Sequence, residues 1–245
     1  MDKVKIQTRL EIKNEVNSDA VELYLYGTIR QGYWWDDEDS CISAKLVRSK
    51  LEGLGDKTLN VHINSNGGDV FESIAICNLL KQYKGEVNIY IDAMAASGAS
   101  IIATAGKNVY MYENSMQMVH KAWTISMGNA DDMRKVADDL DKIDVAVKAS
   151  YMSKFVGNED ELEKLVKEET CLTADECLTF GLCSEIIEQK EDNKQDEDAE
   201  EAQAQGSIKE TLFEKYKKQA RAETPIRNLL KTFKIKEGDD DGNGK

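Results

Sequence analysis

Proline is almost missing from this chain of 245 residues, where Pro225 stands alone. Histidine is nearly as scarce, with only His62 and His120, so a reaction that needs an imidazole base has few candidates. Long apolar runs are absent as well. None approaches the roughly 20 residues of a membrane span, and the N-terminal MDKVKIQTRLEIKNE has no apolar stretch of the secretory kind, so no membrane partner and a cytoplasmic location are expected. The five cysteines, Cys41, Cys77, Cys171, Cys177 and Cys183, are odd in number and lack a C-x-x-C pair. That excludes a disulfide framework and a zinc site and leaves reduced, mostly buried thiols. Clustered basic residues are missing too: the net charge is −14, which argues against a nucleic-acid surface, since phosphate neutralisation needs grouped Lys and Arg. No G-x-S-x-G occurs, so a nucleophile elbow of the α/β-hydrolase kind is not supported.

What is present is a repeated strand-then-helix order. VELYLYGTI, residues 21–29, alternates polar and apolar side chains and predicts a strand, followed by the loop RQGYWWDDEDS. Apolar positions at helical spacing predict a helix from Ser40 to Leu54, with Ser40 as its N-cap. LNVHIN predicts a second strand, SNGGD a turn, and VFESIAICNLLKQY a helix. EVNIYIDAM predicts a third strand, a helix follows Ser97, and NVYMYENSMQMVH gives two short strands. Asn129 to Phe155 is a long amphipathic helix whose apolar residues step by threes and fours. Residues 159–187 hold two shorter helices and a closing strand, CSEII. The fold class expected is α/β with a mostly parallel sheet. The 41% hydrophobic content suits one sizeable domain with additions.

Ser97 lies in MAASGASIIATAG, a run of small side chains that lets backbone close around one hydroxyl before an apolar helix begins. His120 follows in the strand-like SMQMVH. Acyl transfer by Ser97 with His120 as base requires a carboxylate to orient the imidazole and an oxyanion hole. Gly98, directly after the serine, supplies one amide; Gly67 or Gly68, in a turn where no side chain blocks the approach, supplies the other. Taken singly, each signal has a commoner structural explanation: packing for the serine, core for the histidine, a simple turn for the glycines. Ser65 and Ser100 are rival hydroxyls, and His62, on the strand leading to Gly67, is a second histidine for the same cleft.

The pieces YLYGTI, INSNGGDVFESIAICNLL, AMAASGAS, ENSMQMVH and LTADECLTFGLCSEI, in that order across residues 21–187, resemble the ClpP family of self-compartmentalising serine peptidases. They are most similar to the phage-encoded branch associated with capsid, or prohead, maturation. The resemblance implies a ClpP or crotonase type of fold with the Asn129–Phe155 helix projecting as a handle. It implies Ser97 as nucleophile, His120 as base, and Gly67, Gly68 and Gly98 as the oxyanion segments. Where the family places an aspartate before the last helix, this chain has Glu169, with Glu168 as the neighbouring alternative. Asn66 replaces a proline of the glycine turn, and Lys121, Ala122 and Trp123 replace the usual Gln-Pro after the histidine. Trp123 is expected either to pack half-buried or to wall a substrate side chain.

From the same resemblance, the substrate is unfolded or flexible polypeptide, a phage capsid or scaffold protein during head maturation, in the bacterial host cytoplasm. The assembly is a homo-oligomer, a heptameric ring or double ring, and no metal or organic cofactor is required. The expected organisation is an N-terminal segment (1–20), a peptidase domain (21–188), an acidic flexible linker (189–206), and a basic helix with a disordered tail (207–245) that holds a capsid or scaffold protein. Three alternatives stay open: a proteolytic subunit served by an ATP-dependent unfoldase, a crotonase-like acyl-CoA enzyme, and a non-catalytic ring-forming assembly factor. The segment before Tyr24 does not resemble the axial loops by which bacterial ClpP meets its unfoldase.

Overall fold

A computed structural model describes residues 8–13, 18–33 and 41–188. The linker, basic helix and tail expected from residue 189 onward lie outside the described residues. So do Ser40 and most of the acidic loop before it.

The first long strand, β2 (Ala20–Ile29), buries Val21, Leu23 and Leu25 completely and leaves the intervening residues partly exposed. β3 (Thr58–Gly68) and β4 (Val87–Ala96) line up parallel to it, burying Val61 with Ile63 and Ile89 with Ile91. Each such side chain removed from water stabilises the fold by roughly 2 kcal/mol. Helix α1 (Ala44–Leu51) connects β2 to β3, and α2 (Val70–Lys81) connects β3 to β4. α2 turns Ser73, Ile76, Cys77 and Leu80 inward, the spacing of one helical face. The right-handed βαβ connection rule makes this order a parallel sheet with helices packed on it.

The sheet runs β1 (Arg9–Lys13), β2, β3, β4, β5 (Asn108–Tyr112), β8 (Glu185–Ile187). β4 then forks. Its first half, Asn88 to Ile91, pairs with β5, whereas its last residues, Met94 to Ala96, pair with β6 (Met116–Val119). The fork ends β4 beside a different strand from the one it began with, and Ser97 is the next residue. The helix after it is α3 (Gly98–Ala103). The long helix is α4 (Ala130–Met152), started by Asn129 in a capping box with Asp132. α5 (Glu159–Lys167), β7 (Thr170–Thr173), α6 (Ala174–Thr179) and β8 complete the order.

The α/β class and the element order agree with the sequence, and four details differ. Part of the N-terminal segment is β1, antiparallel to β2, because RLEIK alternates and sinks Leu10 into the core. The first helix is capped by Ser43, whose hydroxyl accepts from Leu46 N, so it begins later than Ser40. β3 runs on through the glycines to Gly68. β7 is an extra strand, antiparallel to β6. As expected, the cysteines are mostly buried, Cys41, Cys77, Cys177 and Cys183 inside and Cys171 exposed; burial pushes the Cys177 thiol up to about 12.

Candidate active site

Ser97 N donates to Met118 O at 2.9 Å, which fastens the end of β4 to β6 two residues before His120. Ser97 itself sits at φ 55°, ψ −124°, a conformation that a side-chain-bearing residue adopts only when its surroundings force it. It occupies the N-cap position of α3, yet its hydroxyl caps nothing. Instead, Ser97 Oγ lies 2.7 Å from His120 Nε2. With Nε2 accepting the hydroxyl proton, the ring keeps its own proton on Nδ1, the arrangement that a base needs before attack.

The glycines close around this pair. A methyl on Gly67 (φ 83°) would come within 2.5 Å of Ala96 O, 2.8 Å of Gly98 N and 2.9 Å of Ser97 Cβ, so only glycine lets this turn sit against the nucleophile. Gly67 N, however, donates to Ser65 Oγ at 3.0 Å, and Ser65 Oγ in turn donates to Gly27 O at 2.6 Å. The amide of Gly67 is therefore spoken for. At the next step Asp69 N donates to Ile29 O at 2.8 Å, the bonding pattern of a parallel ladder that turns Gly68 N the other way. That side is where Gly98 lies: a methyl there would be 3.6 Å from Gly68 N. Gly68 N thus lies close to Gly98, the residue after Ser97, and Gly67 supplies the room.

A comparison with known protein families matches residues 36–190, more than half of the chain, to Clp protease. The chain belongs to the Clp protease family.

Membership makes it a ClpP-type serine peptidase whose substrate class is polypeptide. The α/β sheet with its helices is the fold of that family. The rival residues in this Clp protease have other duties. Ser65 is fully buried in the bonds just described. Ser100 is buried too and bonded to Ser97 O, Met118 O and the Tyr151 hydroxyl. His62 is on the opposite face of the sheet. It stacks between Tyr24 (4.7 Å) and Tyr90 (5.0 Å), with Nε2 2.9 Å from Glu22 and Nδ1 3.0 Å from Asp92.

No carboxylate among the described residues hydrogen-bonds to the His120 imidazole. Among the described residues, His120 has a side-chain hydrogen bond to Ser97 alone. The register that pairs Val119 with Thr170 would set Glu169 opposite His120 one step later. The ladder stops there, because Glu169 turns to φ 51°, and its side chain is exposed. Glu168 ends α5 and is exposed as well.

The dyad opens into a cavity of about 790 Å³. Val70 and Phe71 from α2, Met118, Trp123, and Leu140 and Ile143 from α4 give it apolar walls. Trp123 is 70% exposed, so it lines this cavity with most of its ring in solvent and does not pack half-buried. Two side chains that sequence reasoning missed are Asp144 and Tyr151, both buried on α4. Asp144 Oδ1 accepts from Ala122 N at 2.8 Å, two residues after His120. The signal was available: Leu140, Asp144, Val147 and Tyr151 step by fours and threes, so an acid falls on the inward stripe.

Proposed function

We propose that this Clp protease is a serine endopeptidase in which Ser97 attacks a peptide carbonyl and His120 Nε2 takes the hydroxyl proton. The observation that carries the reading is the 2.7 Å contact between Ser97 Oγ and His120 Nε2 next to the Gly68 and Gly98 amides. As the carbonyl becomes tetrahedral, its oxygen gains charge that the Gly68 and Gly98 amides take up in this reading; one such donor is worth about 3 kcal/mol in the transition state. His120 then gives its proton to the leaving amine, and water repeats the cycle on the acyl-enzyme. Glu169 is the third member, Glu168 its rival: the paired register ends at Val119 and Thr170, one residue short of setting Glu169 opposite His120, so its carboxylate has to swing in to reach Nδ1 and stabilise the imidazolium formed during attack.

The cavity suits an extended polypeptide that places an apolar side chain beside Ser97. We take the working form to be a homo-oligomeric ring or stacked pair of rings enclosing these cavities, which restricts the substrate to unfolded or flexible chain. The similarity of its motifs to the phage branch favours a capsid or scaffold protein as the natural substrate, met in the bacterial cytoplasm, with residues 207–245 as the tether.

A fluorophosphonate probe followed by peptide mapping tests the centre of this reading. Covalent label on Ser97, with both label and peptidase activity lost in Ser97→Ala, is expected. Peptide cleavage that persists in Ser97→Ala, or turnover of CoA thioesters without any peptide cleavage, would overturn it.

A further inference from the structure

The nucleophile's unusual backbone has to be held by something, and the hydrogen bonds around it lead to α4. Ser100 Oγ lies 2.7 Å from Ser97 O, 2.9 Å from Met118 O and 2.7 Å from the Tyr151 hydroxyl. Two hydroxyl protons are available for these contacts. If Ser100 donated to Tyr151, the phenol proton would have no acceptor in a site where Tyr151 is 1% exposed, a costly orphan. The arrangement that satisfies both protons has Tyr151 donating to Ser100 Oγ, and Ser100 sharing its one proton between the Ser97 and Met118 carbonyls, both within 2.9 Å. Those carbonyls are not arbitrary. One belongs to Ser97 itself; the other belongs to Met118, which already accepts from Ser97 N and precedes His120 by two residues.

We infer that Tyr151 and Ser100 are positioning residues of this peptidase: the phenol fixes the Ser100 hydroxyl, and that hydroxyl ties the nucleophile's peptide to the strand bearing the base. The inference rests on Ser97 being the nucleophile. A backbone at φ 55°, ψ −124° persists only when over-determined by its neighbours, and this contact adds a side-chain hold to the backbone bonds from Ser97 N to Met118 O and from the Ser100 and Ile101 amides to Ser97 O. Tyr151 acts through Ser100, since Ser100 is its one side-chain hydrogen-bond partner among the described residues. Burial pushes the phenol pKa well above its ordinary value, and so the group stays a donor throughout the pH range of the reaction.

The test uses the full chain in its native assembly, with Tyr151→Phe, Ser100→Ala and the double variant. Each is measured for melting temperature, for kcat and KM on a short peptide, and for the rate at which a fluorophosphonate labels Ser97. Tyr151→Phe keeps the ring and removes only the donor. It is expected to lower kcat and the labelling rate by about fivefold to tenfold with KM nearly unchanged, because the loss falls on nucleophile alignment and not on substrate contacts. Ser100→Ala should cost about tenfold or more. The double variant should be no slower than Ser100→Ala, since one residue works through the other. It also leaves no hydroxyl orphaned, so it carries the test if Ser100→Ala folds poorly. Folded variants that label at the wild-type rate with only a lower melting temperature would overturn the inference, as would effects that multiply in the double variant. A folded wild-type protein that takes no label at all would instead remove the nucleophile assignment, and this inference with it.

Discussion

His62 is a titratable residue with many partners away from the site. Tyr24, His62, Tyr90 and Tyr110 are register partners on four adjacent strands and stack on the face turned away from the core, with Arg9 lying over Tyr24. Desolvation pulls the His62 pKa down, but hydrogen bonds and charge from Asp92 and then Glu22 outweigh it, and the net shift is upward. Tyr26 also donates to Asp92, at 2.5 Å, which keeps that carboxylate in place. A group whose pKa is raised by folding binds its proton more tightly in the native state. Its contribution to stability is therefore complete below the unfolded value of about 6.5 and is lost as pH rises through the higher folded value. His62→Gln keeps polar contacts and removes the titration. The stability advantage of wild type over His62→Gln should be largest near pH 5.5 and shrink steadily toward about pH 8.5. Urea midpoints measured across that range check it, and a difference that stayed constant would show that the carboxylates do not hold an imidazolium.

α4 shows how one element can serve packing and site together. Its buried stripe is Asp144, Val147 and Tyr151: Val147 fills core, Tyr151 reaches Ser100, and Asp144 reaches the chain just after His120. Asp144 also meets Lys121 Nζ at 3.4 Å, but Lys121 is 40% exposed, so that ion pair adds little beside the buried amide contact. Asp144→Ala should lower unfolding free energy by about 2 kcal/mol, the worth of a hydrogen bond to a charged group plus an orphaned amide. Asp144→Asn, which can still accept from Ala122 N, should lose about half of that. Denaturant titration gives the energies, and hydrogen exchange at Ala122 should quicken in the alanine variant alone; equal losses for both would place the effect in the charge and not in the amide contact. The amphipathic spacing made α4 legible in advance, as alternation did β2 and β3 and as small residues did the Ser97 turn. What spacing could not tell was where long-range partners would land. The short β7 is held by pairing with β6 and carries no alternation of its own strong enough to announce it. The same limit applied to Gly67 and Gly68: adjacent in sequence, they differ in use because Ser65 takes one amide and the ladder with Ile29 turns the other toward Gly98. Ser100 stood out as a hydroxyl near the nucleophile, yet its role depends on a tyrosine 51 positions later.

For the molecule as a whole, the informative surface is the stretch between the base and α4. From Trp123 to Asn129 every residue is exposed, and as far as Met127 every second one is large and apolar: Trp123 at 70%, Ile125 at 85%, Met127 at 93%. Period-two apolar spacing is what a strand uses to cover one face, but in the single chain these residues have no regular structure and none of the described residues covers them. The neighbouring part of α4 continues the theme, with Val136, Leu140 and Ile143 only half-buried and Val145 at 64%. An apolar surface of this kind on a chain with a net charge of −14 is costly unless it is buried in an assembly. A second copy offering the same stretch across a two-fold axis would pair its backbone and bury both sets of side chains. In the proposed stacked rings, that contact would join one ring to the other through α4. Changing Ile125→Glu together with Met127→Glu sets like charges against each other across such an axis without touching Ser97, His120 or the core. Light scattering should then report a particle of about half the wild-type mass, with the melting of the individual fold little changed, since both positions are exposed. A double variant that kept the full mass would show that residues 123–129 do not form the contact between copies.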